Sequence, residues 1–474
     1  MREPAKPFAQ RSFGTVAADN RQPCPSSSTR GTQRFSGGGA CLRELDAATR
    51  IVAGNAGDHG LVLKLLVEVY QSPLAEDFQS RLDEPSYEPS DRLLLVRDGR
   101  LAGHVQVAKH FGWFQEQRCP LVKLQDFVMR PEFRAARYDG DLLKMAEATA
   151  VREGSILGLV RTDRPEWFEQ HGWSCCRGQG HTRANTRAIL SQFDAHWAKP
   201  RRKKPSIEVR TWRHFELDSL RSVYQQIATN LWGTLHRSEE AWQWLVNRKA
   251  QDQVLLAVQR QRGELPVRPM NPLVGDEPHV MGYAVVRDSC IVEMFSLPGY
   301  SASRPMLVAR ACRDAIDRDH HFVSLHTPAA DPMHEVLVTA GGTWVADSPT
   351  TGGVWMLKLL APDRWVERFY PVLHLRAREA GLPSSHQIDL AVGEADFRLI
   401  VTRRSSRLEP IQRQKPQAEC DWHTFQNLLT SNLAVPTAIS EGQLRTSDPN
   451  VSHTLAALFP PKLFWQSPFE LLRL

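Results

Sequence analysis

The sequence lacks the features that mark several common classes of protein. No window of its 474 residues approaches the roughly 18 apolar residues that a membrane span requires. Its eight cysteines form no C-x-x-C pair, and Cys175 and Cys176 are adjacent, which suits neither a zinc site nor an easy disulfide. We therefore predict no metal site, no membrane partner and reduced thiols in a cytoplasmic protein.

Three catalytic motifs are also absent. The sequence contains no H-E-x-x-H, no G-x-S-x-G and no G-x-x-x-x-G-K-[ST]. These motifs carry the chemistry of zinc proteases, α/β-hydrolases and P-loop nucleotide-binding proteins. Nothing in the sequence supports any of these three classes.

Two stretches are polar and rich in turn-forming or basic residues. Residues 1–48 are rich in Ser, Gly, Pro and Arg and lack the apolar run of a secretory signal, so we predict a disordered leader, with an organelle-targeting peptide as the alternative. The net charge of +6 is mild, and much of it lies in Arg201 to Lys204. This segment predicts a solvated basic linker at 199–206. A nucleic-acid patch is the alternative, but we expect no nucleic-acid partner.

The remaining chain is too long for a single core and divides into three parts. Residues 49–198 show the order helix, hairpin, strand, helix, strand, short helix, strand, with the hairpin turn at Asp98-Gly99. This order predicts a mixed α/β sheet with a crossover helix rather than a doubly wound dinucleotide fold. The texture changes after residue 360, where residues 361–474 predict an α+β module.

The pattern of the first part recurs about 170 residues later, over residues 207–360. Leu159 and Leu325 are 166 residues apart, and Trp173 and Trp344 are 171 apart. Repetition at this distance predicts an internal duplication of domain size.

The segment RPEFRAARYDGDLLKMAEATA, residues 130–150, joins a strand to a helix. Unpaired N–H groups and the dipole at a helix start form an anion site, and Arg134 and Arg137 add positive charge. Gly140 would let a phosphate approach the backbone closely. The segment predicts a pyrophosphate-binding turn. The alternative is a plain strand–helix connection whose arginines face water.

The element order and the segment FVMRPEFRAARYDGDLL resemble the GNAT family of N-acetyltransferases, in which R-x-x-G-x-G/A binds the pyrophosphate of acetyl-coenzyme A. Arg137 and Gly140 match the first two fixed positions, whereas Leu142 replaces the small residue and the turn is about three residues longer. WFEQHGW resembles a later family segment. Two such domains before a sterol-carrier-like module resemble the "enhanced intracellular survival" type over residues 50–474. The second copy has no R-x-x-G and is expected to be a scaffold without coenzyme.

The resemblance implies an enzyme that transfers the acetyl group of acetyl-CoA, its co-substrate, to a small-molecule or lysine-type amine, with a homo-oligomer as a further possibility. It places backbone N–H donors for the oxyanion on the strand before the turn. The coenzyme-binding residues that it implies are Phe127, Val128, Met129, Arg134, Arg137, Tyr138, Asp139, Gly140, Asp141 and Leu142.

The catalytic groups are less complete. In the family a tyrosine acts as the general acid, and the matching position here is Phe168, which cannot donate a proton. Tyr138 is the candidate to replace it as the acid, with a ring that only fills the turn as the alternative. The family's base is the chain's terminal carboxylate, here on Leu474. Asp126 is the second candidate base, unless it is an ordinary surface carboxylate. His104 and His171 are weaker candidates, and a catalytically degenerate binding or scaffold protein remains the alternative function.

Overall fold

The computed structural model describes residues 39–134, 138–197, 207–259, 279–412 and 415–471. The predicted linker at 199–206, Arg137 and Leu474 lie outside these residues. Over the described residues the strands form three sheets, of nine, seven and five strands. No helix in the described part of the chain is long and apolar enough to cross a membrane.

The first part of the chain contains a long antiparallel hairpin followed by a crossover helix. Its strands are β1 (Cys41–Asp46), β2 (Thr49–Ala53), β3 (Arg92–Arg97), β4 (Arg100–Phe114), β5 (Gln117–Met129), β6 (Leu157–Thr162), β7 (Ser174–Cys175) and β8 (Gly180–Asn185). Its helices are α1 (His59–Tyr70), α2 (Ala75–Leu82), α3 (Pro131–Arg134), α4 (Tyr138–Arg152), α5 (Pro165–Glu169) and α6 (Thr186–Trp197).

The second part repeats this plan. Its strands are β9 (Ile207–Thr211), β10 (Trp232–Leu235), β11 (Gln253–Gln259), β12 (Val280–Arg287), β13 (Cys290–Ser296), β14 (Phe322–Leu325), β15 (Thr343–Ala346) and β16 (Val354–Leu359). Its helices are α7 (Leu217–Ala228), α8 (Glu239–Asn247), α9 (Ser303–Ile316) and α10 (Met333–Thr339).

The third part is α+β, as predicted. Its strands are β17 (His386–Val392), β18 (Ala395–Val401), β19 (Ser406–Pro410), β20 (Ala418–Cys420) and β21 (Leu444–Thr446). Its helices are α11 (Pro362–Arg368), α12 (Tyr370–Glu379), α13 (Trp422–Leu429), α14 (Val435–Ser440) and α15 (Pro449–Leu458). α11 and α12 are separated at Phe369, and Pro371 lies in the first turn of α12, where its missing N–H costs nothing.

Local sequence explains the turn that joins β3 to β4. Asp98 and Gly99 both have positive φ, 50° and 70°, which a two-residue turn between twisted strands requires and which Asp-Gly adopts readily. β3 and β4 pair on either side of this turn, so the predicted hairpin is confirmed.

The predicted boundary at residue 48 differs from the structure. Residues 41–46, which the composition assigned to the leader, form β1 and pair antiparallel with β2. The short turn at residues 47–48 joins the two strands, and pairing gives the polar β1 backbone the hydrogen bonds that composition alone did not predict.

The boundary between the first two parts also differs, because they exchange strands. β16, from the second part, lies between β6 and β7 in the first sheet, whereas β8, from the first part, lies between β14 and β15 in the second. In each sheet the incoming strand is antiparallel to both of its neighbours. Residues 49–198 and 207–360 are therefore two interlocked halves, each of which completes the other's sheet.

Candidate functional site

The site begins where two parallel strands separate. β5 and β6 pair only from Leu121 with Leu157 to Leu124 with Val160. Asp126 has a φ of 52°, and the register between β4 and β5 shifts beside it, which marks a bulge. Beyond Leu124 the strands diverge, so the edge of β5 that faces away from β4 has backbone groups without a β6 partner.

A cavity of about 480 Å³ opens at this fork. It is lined from β5 by Leu124 to Phe127, and from β6 and the turn after it by Val160 to Arg164. The remaining wall comes from α1, α2 and the loop after it, β4, α5, β10, α8, β16 and the last described residues of the chain. The cavity-lining side chains that matter below are Tyr70, Arg81, Glu84, His110, Lys123, Phe168, Arg237, Trp244, Trp355, Glu470 and Leu471.

The cavity reaches both faces of the first sheet. Leu124 and Val160 belong to the core that packs beneath α4. Trp355 lies instead in the core between this sheet and the C-terminal module. The fork therefore connects two faces of the first sheet. One is the α4 face, where the sequence predicts the coenzyme, and the other is the face where Glu470 and Leu471 lie.

The C-terminal segment is docked by guanidinium groups. Arg248 donates to the carbonyl oxygens of Phe469 and, at 3.4 Å, of Leu471, while Arg287 donates to that of Leu471 at 3.2 Å. Phe469 is 1% exposed. Glu470 and Leu471 line the cavity, so the chain is held at the site three residues before Leu474.

Arg237 is the centre of a buried ionic network beside the cavity. Its guanidinium forms two hydrogen bonds with Glu293, at 2.9 and 2.6 Å, and one with Glu470 at 2.9 Å. It lies over the ring of Tyr224, 4.0 Å from the centroid. Burial lowers the pKa of Arg237, but Glu293 and its other partners more than offset this and hold the pKa well above its ordinary value. The network fixes Glu470 at the cavity wall, with its Oε2 buried and without a hydrogen-bond partner.

The sequence reasoning missed three titratable side chains on the cavity wall. Burial raises the pKa of Glu84, whereas burial and the charge of Lys123 lower that of His110 to about 3. The Nε2 atom of His110 lies 3.8 Å from Oε1 of Glu84. Burial also lowers the pKa of Lys123, against the opposing charges of Glu470 and Glu84. The sequence signalled only Lys123, as a charged residue inside the largely apolar segment LVKLQDF.

Asp126 is not an ordinary surface carboxylate, because its side chain is only 11% exposed. Its carboxylate forms an ion pair with Arg81 and lies 3.9 Å from Arg92. Burial raises its pKa, but the charge of Arg81 and the hydrogen bond from it dominate, so the pKa lies below its ordinary value. A carboxylate held by two arginines is a poor proton acceptor, although it does line the cavity.

The predicted coenzyme turn is only partly described. Arg134 ends α3 and donates to the carbonyl of Met129 at 3.3 Å. A Cβ on Gly140 would lie 3.2 Å from Nε2 of His171, so packing against His171 leaves little room for a side chain here. The Oδ1 of Asp139 accepts the N–H of Gly140 at 3.0 Å, which places a carboxylate in the first turn of α4. Asp141 lies in the same turn.

Leu142 points away from the turn. It is fully buried in the core between α4 and the sheet, where Met129 is also buried, whereas Val128 packs in a separate core beside α1. Its side chain therefore does not obstruct a phosphate at the helix start. Of the three strand residues expected beside the acyl group, Phe127 lines the cavity.

Tyr138 does not reach the cavity. Its hydroxyl donates to Asp46 at 2.6 Å and accepts from Arg97 at 2.7 Å, so it ties the start of α4 to β1. It is not among the cavity-lining residues. The structure therefore gives Tyr138 a packing role, which corrects its assignment as the catalytic acid.

A different tyrosine lies beside the predicted acyl site. Tyr70, the last residue of α1, donates from its hydroxyl to the carbonyl oxygen of Phe127 at 2.6 Å and lines the cavity. Part of its ring is exposed, but burial of its hydroxyl end raises its pKa. Phe168 is 1% exposed and contacts Phe127 with ring centroids 5.7 Å apart. Phe168 thus carries no hydroxyl group, whereas Tyr70 brings one to the backbone of Phe127.

The two histidines considered from sequence have structural partners. His104 is fully buried, accepts from Arg92 at 3.0 Å and donates to the carbonyl of Asp126 at 2.9 Å. Burial and the charge of Arg92 lower its pKa to about 3. His171 donates from Nδ1 to the carbonyl of Trp167 at 2.8 Å. Neither residue lines the cavity.

The corresponding fork of the second sheet is occupied by the chain itself. Trp465 donates its indole N–H to the carbonyl of His326, directly after β14, at 3.0 Å. Its ring packs against Phe295 of β13, 5.6 Å between centroids. A tryptophan side chain therefore lies at the point where β13 and β14 separate.

Comparison with solved structures identifies the fold. No family model and no curated protein matches the sequence. Similar crystal structures include a GCN5-related N-acetyltransferase from Anabaena variabilis (15% identity, TM-score 0.64), a probable N-acyltransferase from Enterococcus faecalis (13%, 0.67) and Eis1 from Mycobacterium abscessus (12%, 0.59). Each alignment covers 88% of this chain and 99% of the other. The protein therefore has the fold of the GCN5-related N-acetyltransferases, with two tandem domains of this type, as its sequence resemblance predicted.

Proposed function

We propose that the protein is an N-acyltransferase that transfers the acetyl group of acetyl-CoA to a small-molecule or lysine-type amine. The cavity at the β5–β6 fork carries this proposal, because it joins the two faces of the first sheet at one point. A thioester entering from the α4 face would present its carbonyl to an amine bound on the other face. Holding both reactants in one enclosure supplies much of the catalysis in such a reaction.

The donor side of the proposal rests on the unpaired edge of β5. Beyond Leu124 its N–H groups have no β6 partner and can stabilise the oxyanion of the tetrahedral intermediate. The pyrophosphate would lie at the start of α4, where Arg134 and Arg137 contribute positive charge. Fixed backbone donors in a closed site stabilise such charge without reorganisation.

The acceptor side needs a base and an acid. The terminal carboxylate of Leu474 is our proposed base, since the chain is docked at the cavity up to Leu471. Tyr70 is our proposed acid for the departing thiolate, because its hydroxyl lies beside Phe127 and its raised pKa keeps it protonated. Asp126 serves instead to neutralise Arg81 and Arg92.

Titration calorimetry with acetyl-CoA, followed by a thiol-release assay over a panel of amines, tests the proposal. We expect saturable binding and amine-dependent thiol release. Arg137→Ala should weaken acetyl-CoA binding, whereas Arg100→Ala, at the exposed first residue of β4, should not. Folded protein that binds no acetyl-CoA at millimolar concentration would exclude the enzyme.

Two observations favour a second function, that of a coenzyme-binding scaffold without turnover. Phe168 supplies no proton, and Asp139 brings negative charge to the helix start that the phosphates need. Under this alternative, acetyl-CoA binds but no amine in the panel releases its thiol. Tyr70→Phe would then change nothing measurable in that assay.

A further inference from the structure

Lys123 is a buried amine that faces the cavity at the fork. It precedes Leu124, the last residue of β5 that pairs with β6. The residue is 4% exposed, and its Nζ lies 5.3 Å from the centroid of the Trp355 ring. Among the described residues it has no hydrogen bond and no ion pair within 4 Å. An ammonium group so enclosed loses solvation without gaining a partner, which favours the neutral amine.

The surroundings of Lys123 suit an amine rather than an anion. The charges that oppose its deprotonation come from Glu470 and Glu84, both on the cavity wall. An anionic ligand placed against Lys123 would face these two carboxylates as well. The same pair would attract an acceptor's ammonium group, so Lys123 occupies the environment that an amine substrate requires.

The position of Lys123 relative to the fork brings the amine to the acceptor side. Its Nζ contacts the Trp355 ring, which belongs to the core on the face opposite α4. Leu124, the next residue, points into the core beneath α4. A thioester that passes between β5 and β6 from the α4 face therefore emerges beside the Lys123 side chain.

We propose that Lys123 is an internal acyl acceptor, so that the protein acylates its own chain at this residue. The inference rests on the proposed use of acetyl-CoA. The neutral Nζ attacks the thioester carbonyl, a C–N bond forms and the C–S bond breaks. Coenzyme A leaves as a thiolate and takes up the proton that the nitrogen loses, directly or through Glu84 or Glu470. The products are one Nε-acetyllysine and one free coenzyme A.

Acylation would change the acceptor side in two ways. It replaces a basic amine beside Glu84 and Glu470 by an amide that cannot be protonated, and it adds an acetyl group beside Trp355. The amide is stable, so the modified protein retains the added volume in a cavity of about 480 Å³. Self-acylation therefore limits the entry of other amines.

Mass spectrometry of the full-length protein incubated with isotopically labelled acetyl-CoA tests the inference. We expect one labelled acetyl group per chain, on Lys123, with release of one equivalent of thiol in the absence of added amine. Two exposed lysines, Lys64 and Lys144, are internal controls for uncatalysed acetylation. Directed transfer should label Lys123 at least about 100-fold faster than either.

The outcomes separate the inference from the proposed function. Binding and amine-dependent turnover with an unlabelled Lys123 would overturn the inference alone, whereas absence of acetyl-CoA binding would overturn both. Lys123→Arg, which keeps a long basic side chain but supplies no neutral amine, should abolish the single labelling event and the thiol release without amine. If that variant does not fold, the time course on the unmodified chain still decides, because a Lys123 labelled no faster than Lys144 contradicts directed transfer.

Discussion

The hydroxyl of Tyr70 donates a hydrogen bond to the backbone carbonyl of Phe127 at 2.6 Å. Phe127 lies beyond the last residue of β5 that pairs with β6, where the cavity opens, and its ring packs against that of Phe168. The contact brings the phenol of Tyr70, at the end of α1, to the fork, although β3 and β4 lie between α1 and β5 in the sequence. Under the proposed function, Tyr70 supplies the proton donor that Phe168 cannot provide.

Replacing Tyr70 by Phe should lower kcat by about 100-fold, because the thiolate would leave without a general acid. Acetyl-CoA affinity, measured by calorimetry, should be unchanged. Since the pKa of Tyr70 is raised above its ordinary 10.0, the wild-type rate should persist at neutral pH and fall as pH rises through the raised pKa. That alkaline limb should be absent in the variant.

Tyr87→Phe is the matched control, since the Tyr87 hydroxyl contacts His59 and Arg92 but does not line the cavity. Its rate and pH profile should match those of the wild type. An unchanged kcat in Tyr70→Phe would remove Tyr70 from the mechanism.

Arg237→Met should destabilise the protein by about 4 kcal/mol, because it leaves Glu293 and Glu470 buried without their cation. Denaturant unfolding measures the loss. Arg221→Met is the control, since its partners Asp218 and Glu239 are exposed, and it should cost less than about 1 kcal/mol. Equal effects of the two substitutions would contradict a buried network.

Asp126→Asn should cost about 3 kcal/mol at neutral pH, since it breaks a buried pair with Arg81. The folded-state pKa of Asp126 lies below its ordinary 3.8, so its contribution is complete above pH 3.8 and is lost as pH falls through the lowered value. The difference in unfolding free energy between wild type and variant should therefore shrink in acid.

The exposed Asp98, which lies 3.8 Å from Arg97, gives the comparison. Asp98→Asn should change stability by no more than about 0.5 kcal/mol at any pH. A difference for Asp126→Asn that stays constant down to pH 2 would show that the carboxylate's charge is not what stabilises the fold.

Amidating the chain's C-terminus by semisynthesis should abolish most amine-dependent turnover while leaving acetyl-CoA binding intact. The change removes only the charge of the Leu474 carboxylate, and the docking contacts of Leu471 with Arg248 and Arg287 remain. The measurement is thiol release at saturating donor. Unchanged turnover would exclude the terminal carboxylate as the base and leave Glu84 as the described carboxylate with a raised pKa at the site.

Much of the fold followed from local sequence, because its signals are local. Asp98-Gly99 predicted the hairpin, and the repeated spacing of Leu159 and Leu325 predicted two related sheets. The strand exchange could not be predicted in this way. β8 and β16 have the composition of ordinary strands, and only competition for the open edges of β6 and β14 decides which sheet each one joins.

The site was less predictable, since it is assembled from distant segments. Phe127 lines the cavity, and Tyr70, Glu84 and Glu470 reach it from elements that precede or follow Phe127 by long stretches of chain. Lys123 was visible as a charge within an apolar strand, but its face of the sheet depends on the register with β4 and β6. Tyr138 was misassigned because its partner Asp46 lay in residues that composition had assigned to the leader.

Because β8 and β16 are exchanged, each half depends on the other for a complete sheet. A fragment ending before residue 207 would leave β6 without its antiparallel neighbour and carry a β8 with no sheet to enter. The second half alone would have the reverse defect. We expect neither fragment to be stable in isolation, whereas the two co-expressed as separate chains can reassemble, because each half supplies a strand that the other half's sheet lacks.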